Sequence, residues 1–310
     1  MRFRRYPSTI AVIFFLTIHA LCGGLRVGHV AVALVMACLE IFSTRWQWFL
    51  RRCLPILTYL LLYDLIRYIP TTLRPAIAVD TLYRWEVTLF GGLPHEWLSH
   101  TLSPFLDILA AIPYNLHFYI PFIFLGVLWK KGRPLIAPFA MSFGLMNIAA
   151  LVTQQSFPTA SPWYYDLYQF APASYDLPGD PAGLARVDAL LGISYFTSLY
   201  RMSAIVFGAF PSMHGAWPLL MSAYAWRSFR RLRWVLLGYG GWMWWAALYL
   251  HHHYAIDLLG GALYAAVAFV IVVPQWCTGA VQADRRLWRR LRSNTGEMTV
   301  VKTTTKTVTP

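Results

Sequence analysis

Charged side chains are scarce in this sequence, and acidic ones are the scarcer sign. Of 310 residues only 13% are charged, with 13 Asp and Glu against 26 Lys and Arg, whereas a soluble domain carries roughly 25% charged residues. The four cysteines form no close pair and none of the C-x2-C spacing that zinc sites use, so we expect neither a disulfide nor a zinc site built on them. These absences exclude an ordinary soluble globule.

Apolar and aromatic residues take the place of the missing charge. Hydrophobic residues make up 58% of the chain, and 14 Trp are present, a residue type that favours membrane interfaces. A helix needs about 20 mostly apolar residues to cross a bilayer. Eight segments approach or meet this length: 8–24, 27–43, 53–69, 109–129, 134–154, 208–226, 233–250 and 255–275. The sequence therefore predicts an all-α polytopic membrane protein with about eight transmembrane helices.

The positions of the charges predict how these helices are oriented. Five basic clusters fall on one side of an eight-span topology, and short basic loops are cytoplasmic. The long connections 70–108 and 155–207 fall on the other side and contain eight of the 13 acids. Their mixture of aromatics and isolated charges predicts helices lying in the headgroup layer. Because the basic clusters are scattered between spans, we expect no nucleic-acid partner.

Two histidine-containing motifs lie at predicted helix starts on this acidic, non-cytoplasmic side. Ser212 and Met213 precede His214 at the beginning of one helix, where free N–H groups favour an anion. His253 and Asp257 are spaced i, i+4 at the beginning of another, so on a helix the carboxylate can accept an imidazole N–H. Since both helices start on the same side, we expect His214, His253 and Asp257 to meet at one membrane face.

This constellation predicts phosphoryl transfer without a metal or other cofactor. One imidazole attacks phosphorus and the other protonates the departing oxygen, while Asp257 fixes the tautomer of His253 and stabilises its cationic form. The acids are too dispersed for a two-metal site. Haem or copper on the run His251-His252-His253 is disfavoured, because neighbouring side chains on a helix point about 100° apart. Interfacial histidines without a catalytic role remain one alternative, and a transporter or channel is another function class.

The motifs carry a family resemblance. Pro211-Ser212-x-His214 and His253-x3-Asp257 resemble the second and third signatures of the type 2 phosphatidic acid phosphatase superfamily. Four segments are similar in sequence to fungal inositol phosphorylceramide synthases: 158–168, 179–192, 206–217 and 244–261. The resemblance implies a six-helix phosphatase-like core in which His253 is the nucleophile and His214 the leaving-group acid.

The same resemblance implies the substrates. Such enzymes move phosphoinositol from phosphatidylinositol to ceramide, or a related lipid alcohol, and release diacylglycerol. A lipid phosphate phosphatase or phospholipase C-like hydrolase would use the same three residues, so the motifs leave both reactions open. The active face would be the periplasmic side of a bacterial inner membrane, which we favour, or the lumen of the Golgi in a eukaryote.

Two parts of the superfamily's phosphate clamp are missing. The first signature is K-x6-R-P, and Arg67 stands where Arg74-Pro75 would need a lysine. The third signature's Ser-Arg is replaced by Ala246 and Ala247. We therefore expect other groups to bind the substrate. The candidates are Arg186, His117, Ser212, the backbone around Met213, and Tyr164, the last for stacking near a sugar headgroup.

Three regions follow from this organisation. Residues 1–52 predict an N-terminal helical hairpin, with the first helix retained rather than cleaved as a signal peptide. Residues 53–277 predict the catalytic membrane domain. Residues 278–310 are basic and then polar, without helix periodicity, and predict a partly disordered cytoplasmic tail.

Overall fold

A computed structural model describes residues 6–131, 134–226 and 228–277. These residues fold into helices joined by loops, and no extended strand is present among them. The predicted tail 278–310 lies outside the described residues. The α-helices are α1 (Pro7–Leu21), α2 (Val27–Phe42), α3 (Thr44–Arg52), α4 (Leu54–Leu65), α5 (Thr81–Phe90), α6 (Pro94–Leu98), α7 (Pro104–His117), α8 (Ile120–Lys130), α9 (Ile136–Ser156), α10 (Pro162–Tyr168), α11 (Leu184–Leu191), α12 (Tyr195–Arg201), α13 (Met213–Ala225), α14 (Leu232–Tyr249) and α15 (Ala255–Cys277). The predicted all-α class is confirmed.

The helices differ in whether they are long and apolar enough to cross a membrane. Among the described residues α9 and the Ala255–Val273 part of α15 meet both conditions. The helices α7 and α8 meet them only as one span, bent by 53°. The segments predicted at 53–69 and 208–226 form helices of only 12 and 13 residues, α4 and α13. The number of eight spans therefore stays a prediction.

Large apolar side chains cover the outside of several helices. Val27 is 87% exposed, Phe105 74% and Val270 65%, and further exposed Leu, Ile and Phe side chains lie on α1, α2, α8 and α15. A water-soluble surface does not carry apolar patches of this extent. The exposed side chains fit a lipid environment, and the chain is a membrane protein.

The centre of the fold is a close packing of α13 against α9, α14 and α15. Glycines allow the closest approach, since a Cβ added to Gly261 of α15 would lie 2.0 Å from the carbonyl oxygen of Ser212. Gly215 of α13 is similarly placed, 3.0 Å from the carbonyl oxygen of Leu258. The beginnings of α13 and α15 are thereby brought into backbone contact.

The predicted N-terminal hairpin is formed by α1 and α2, which pack against each other. The carboxylate of Glu40 on α2 accepts hydrogen bonds from the backbone N–H of Thr9 (2.8 Å) and from its hydroxyl (2.7 Å). Because α1 also packs against α4, the hairpin is joined to the following helices, and the boundary at residue 52 stays a prediction.

Both long connections fold into short helices, as the sequence predicts. The first contains α5 and α6, and the second contains α10, α11 and α12. They pack around the segment that precedes α15: the backbone N–H of Trp163 donates to the carbonyl of His251 (3.0 Å), and that of Gly183 to the carbonyl of Leu250 (2.9 Å). The connections therefore surround the turn that contains His253.

Candidate active site

The first part of the site is the beginning of α13. Ser212 caps this helix: its hydroxyl accepts from the backbone N–H of Gly215 (3.4 Å), and its own N–H donates to the carbonyl of Asp257 (2.9 Å). Met213 and His214 are the first two helical residues. The N–H groups of a first helical turn have no acceptor within the helix and favour an anion. The predicted helix start at Ser212 and Met213 is thus present beside His214, and anion binding there stays a prediction.

The second part is the turn between α14 and α15. The backbone N–H groups of His252 and His253 both approach the carbonyl oxygen of Ala247, at 3.1 and 3.3 Å. His253 therefore precedes α15 instead of lying on it, because the helix begins only at Ala255. Its side chain nevertheless reaches Asp257, with 3.3 Å between Nδ1 and Oδ2.

A buried carboxylate and two imidazoles form a line of hydrogen bonds. Asp257 is fully buried, and its Oδ2 also accepts the backbone N–H of Tyr254 (2.9 Å). An ionised carboxylate can only accept, so Nδ1 of His253 carries a proton and Nε2 of the neutral ring holds a lone pair. That Nε2 lies 3.1 Å from Nδ1 of His214. A ring nitrogen with a free lone pair thus faces a second imidazole.

His214 is held by a row of stacked rings. Consecutive pairs lie 4.1 to 4.9 Å apart between ring centroids, with interplanar angles of 15 to 30°. The row runs through Tyr200, His252, Tyr114, His214, His117 and Trp217. Stacked pairs contribute about 0.5–1.5 kcal/mol each beyond burial. The stack fixes the plane of the His214 ring.

His252 belongs to this stack and not to the line of hydrogen bonds. Burial, and after it the neighbouring His253, lowers the pKa of His252 to about 3. A neutral ring between Tyr200 and Tyr114 adds no charge next to His253. The middle histidine of the run is therefore a packing residue.

The predicted substrate-binding residues fall into two groups. His117 lies in the stack, 4.2 Å from His214 between ring centroids, and so accompanies the histidine pair together with Ser212 and Met213. Arg186 is bound elsewhere: its guanidinium donates to Asp107 Oδ1 at 2.7 and 2.9 Å. The side chain remains 37% exposed, so a phosphate contact by Arg186 stays a prediction.

Tyr164 lies in a separate apolar cluster with Trp163 and Phe207. Its ring is buried, and its hydroxyl donates to the carbonyl of Ala171 (3.0 Å). The neighbouring residue Trp163 binds the carbonyl of His251 through its backbone. The cluster thus packs against the turn between α14 and α15. Stacking of Tyr164 on a sugar stays a prediction.

The sequence motifs do not point to Glu86, which the structure places at the beginning of α15. Its fully buried carboxylate accepts the backbone N–H groups of Ala255 and Ile256, both at 3.0 Å. A carboxylate at a helix N-terminus is favourable because it meets free N–H groups and the positive end of the dipole. No local spacing could have revealed a contact across 170 residues.

Comparisons with known proteins show the family of this chain. Residues 80–271 match the PAP2 superfamily. The chain is 38% identical over 218 residues to the inositol phosphorylceramide synthase of Candida albicans, covering 70% of this chain and 46% of that protein. It is 40% identical over 232 residues to the inositol phosphorylceramide synthase catalytic subunit of Schizosaccharomyces pombe, covering 73% and 55%.

A bacterial relative is covered almost completely. The phosphoinositol dihydroceramide synthase of Bacteroides thetaiotaomicron is 31% identical over 273 residues, which is 83% of this chain and 88% of that protein. The chain spans about half the length of the fungal relatives above. No solved structure matches it at a significant level.

Proposed function

This chain belongs to the PAP2 superfamily, and we propose that it is a membrane lipid phosphotransferase. It moves phosphoinositol from phosphatidylinositol to ceramide or a related lipid alcohol and releases diacylglycerol. The observation that carries the proposal is the line Asp257, His253, His214, with 3.3 Å between Oδ2 of Asp257 and Nδ1 of His253 and 3.1 Å between Nε2 of His253 and Nδ1 of His214. The names of the fungal and bacterial relatives support the substrate class.

In the first step the phosphodiester enters between the two imidazoles and replaces their hydrogen bond. Nε2 of His253 attacks phosphorus, an N–P bond forms, and the bond from phosphorus to the diacylglycerol oxygen breaks. Protonated His214 gives its proton to that oxygen. The phosphohistidine is cationic on its ring, and Asp257 stabilises it through Nδ1–H, as a carboxylate stabilises the imidazolium of a serine hydrolase triad.

In the second step the acceptor lipid takes the place of diacylglycerol. Neutral His214 removes the proton of the acceptor hydroxyl, whose oxygen attacks phosphorus and breaks the N–P bond. His253 is regenerated with its lone pair on Nε2. The first turn of α13, from Met213, supplies N–H groups for the nonbridging oxygens in both steps. Transfer requires that water be excluded from the intermediate.

The proposed topology places this chemistry on the non-cytoplasmic face. Eight spans, six of them forming the phosphatase-like core, put the beginnings of α13 and α15 on the side opposite the basic loops. The short helices α5, α6 and α10 would lie in the headgroup layer over the site. Lipid substrates that reach this depth enter from the same leaflet, and the bacterial inner membrane with a periplasmic active face is the favoured location.

An apolar cleft supports access for acyl chains. It is lined by Phe118, Tyr119, Phe122, Tyr195 and Leu199, and it begins directly after His117, the stacked neighbour of His214. Aromatic and aliphatic walls fit a hydrocarbon chain rather than a polar headgroup. A diacylglycerol or ceramide tail in this cleft would lie close to the reacting phosphate.

The test supplies purified protein with inositol-labelled phosphatidylinositol and a fluorescent ceramide. We expect a product that carries both labels, formed together with diacylglycerol. Free inositol phosphate as the sole labelled product would establish the hydrolase and contradict the transferase. His253→Ala should lower the rate by at least about 10³-fold. His100→Ala, at an exposed histidine outside the site, is the matched control and should retain activity.

A further inference from the structure

Three potential metal ligands from distant parts of the chain meet beside the turn that contains His253. They are His95 of α6, Asp166 of α10 and His251 of the turn, and their ligand atoms lie within 4.8 Å of one another. The rings of His95 and His251 approach edge to face, with 4.9 Å between centroids. This cluster is separate from the line of Asp257, His253 and His214.

His251 is already oriented like a metal ligand. Its Nδ1 lies 2.6 Å from Oδ2 of Asp166, and its Nε2 lies 3.2 Å from the hydroxyl oxygen of Ser99. Ligating imidazoles generally donate their other N–H to a neighbouring oxygen, which fixes the tautomer. With Nε2–H donated to Ser99, Nδ1 faces Asp166, and a cation between them would replace the proton that now joins them.

The backbone of His251 is held in an unfavourable conformation. Its φ is +57°, and a residue with a side chain in this region costs on the order of 1–3 kcal/mol. Such conformations persist where the surroundings hold the residue in place, often at ligand clamps. Contacts to Ser99 and Asp166 hold this side chain where it meets His95.

His95 supplies the observation that points to a missing ligand. The side chain is fully buried, and neither ring nitrogen has a hydrogen-bond partner among the described residues. A buried polar group left unpaired costs about 1–3 kcal/mol. Nδ1 lies 3.9 Å from Oε1 of Glu86, which leaves Nε2 for another partner. A carboxylate behind a ligating imidazole is the usual outer arrangement of a metal site.

We propose that His95, Asp166 and His251 bind a divalent transition metal ion, with Zn²⁺ as the best fit. Two imidazole nitrogens and one carboxylate oxygen, with an open position for water, suit Zn²⁺ and Co²⁺, whereas Mg²⁺ and Ca²⁺ prefer oxygen ligands alone. The ion ties α6 and α10 to the turn that contains His253. Neither step of phosphoryl transfer passes through the ion.

A second histidine–carboxylate cluster provides the control. His19 and His29 approach Asp64 at 3.0 and 3.5 Å. There the carboxylate is already bound by a guanidinium, since Nε of Arg67 donates to Oδ1 of Asp64 at 2.9 Å. The positive charge competes with a metal ion for the same acid, so we expect this cluster to bind none.

The experiment uses the full-length protein, free of any polyhistidine tag, stripped with a chelator and titrated with Co²⁺ and Zn²⁺. Visible absorption reports Co²⁺ coordination, and elemental analysis reports bound Zn²⁺ per chain. We expect one ion per chain, and a loss of affinity of at least about 100-fold in Asp166→Asn and His251→Asn. Ser99→Ala should lose roughly 10-fold, as outer-shell changes do.

Two controls make the result decisive. His19→Ala should retain one bound ion, and so should His253→Ala, which removes the proposed nucleophile but no ligand. Size-exclusion chromatography of each variant separates loss of the site from loss of the fold. Wild-type protein that binds no ion, or an unchanged affinity in a folded Asp166→Asn variant, would overturn the proposal. Because binding is measured directly, the outcome is independent of whether the protein transfers phosphoinositol.

Discussion

Replacement of Glu86 by glutamine tests whether the beginning of α15 positions His253, the proposed nucleophile. The carboxylate of Glu86 accepts the N–H groups of Ala255 and Ile256, each at 3.0 Å. Asp257 is the next residue, and it holds His253. Glutamine keeps the size of the side chain but offers one acceptor oxygen, and its NH₂ group would face a backbone N–H donor. One of the two hydrogen bonds is therefore lost.

The magnitude follows from the charge of the lost bond. A hydrogen bond to a charged group contributes about 1.5–3 kcal/mol, and a neutral one about 0.5–1.5 kcal/mol. Loss of one bond and neutralisation of the other cost about 2 kcal/mol or more at the first turn of α15. If the full loss displaces Asp257 and raises the activation free energy by the same amount, kcat of Glu86→Gln falls roughly 30-fold. KM should change less, because Glu86 contacts backbone and not substrate.

The matched control is Glu40→Gln in the N-terminal hairpin. Glu40 is also buried and accepts N–H and O–H groups of Thr9 at the start of α1. Its replacement should lower Tm without lowering kcat more than about threefold. Transfer is measured with labelled lipids, in the presence of Zn²⁺ and after chelation, so that an effect through His95 appears as a dependence on metal. A kcat of Glu86→Gln within twofold of wild type, or an equal loss in Glu40→Gln, would refute the reasoning.

Three further predictions concern the line of hydrogen bonds, the glycine contact and the ring stack. Asp257→Asn should lower kcat by about 10³- to 10⁴-fold, as the comparable change does in a serine hydrolase triad, and rapid-quench measurement of the phosphoenzyme should show its slower formation; unaltered formation contradicts the assigned role. Gly261→Ala should lower the free energy of unfolding by about 1–3 kcal/mol, because the added Cβ meets the Ser212 carbonyl. The Tm of this variant should fall below that of Gly241→Ala, where an added Cβ has no atom within 4 Å. Equal Tm values would contradict the packing argument. Tyr114→Leu should lower kcat about three- to tenfold by removing one stacked neighbour of His214, the proposed leaving-group acid, and an unchanged kcat would show that the stack does not position His214.

The pairing of His253 with Asp257 could be predicted because it is local. A separation of four residues limits how far the two side chains can be apart, and the contact forms even though His253 lies in a turn before the helix. The meeting of His214 with this pair followed from the predicted topology of two helix starts. Both arguments use covalent connection or the side of the membrane, which are properties a sequence carries.

The contacts of Glu86, Tyr114 and Gly261 could not be predicted in this way. Each joins segments far apart in the chain, and other acidic, aromatic and glycine residues have the same local pattern. Which acidic residue is buried at the beginning of α15 depends on how α5, α6 and α10 pack around the turn. The same holds for Arg186, whose bond to Asp107 no spacing indicated.

By itself, the sequence determines that the chain belongs in a membrane, and it predicts that the chemistry lies where two helices begin. The reason is that apolar composition and short-range spacing act regardless of the final packing. Only the tertiary structure decides what each of three consecutive histidines does. His251 turns to Asp166, His252 enters the ring stack and His253 faces His214. The three side chains are chemically identical, but the backbone of the turn, with φ of +57° at His251, points them in different directions. Each therefore contacts a different partner from a distant segment.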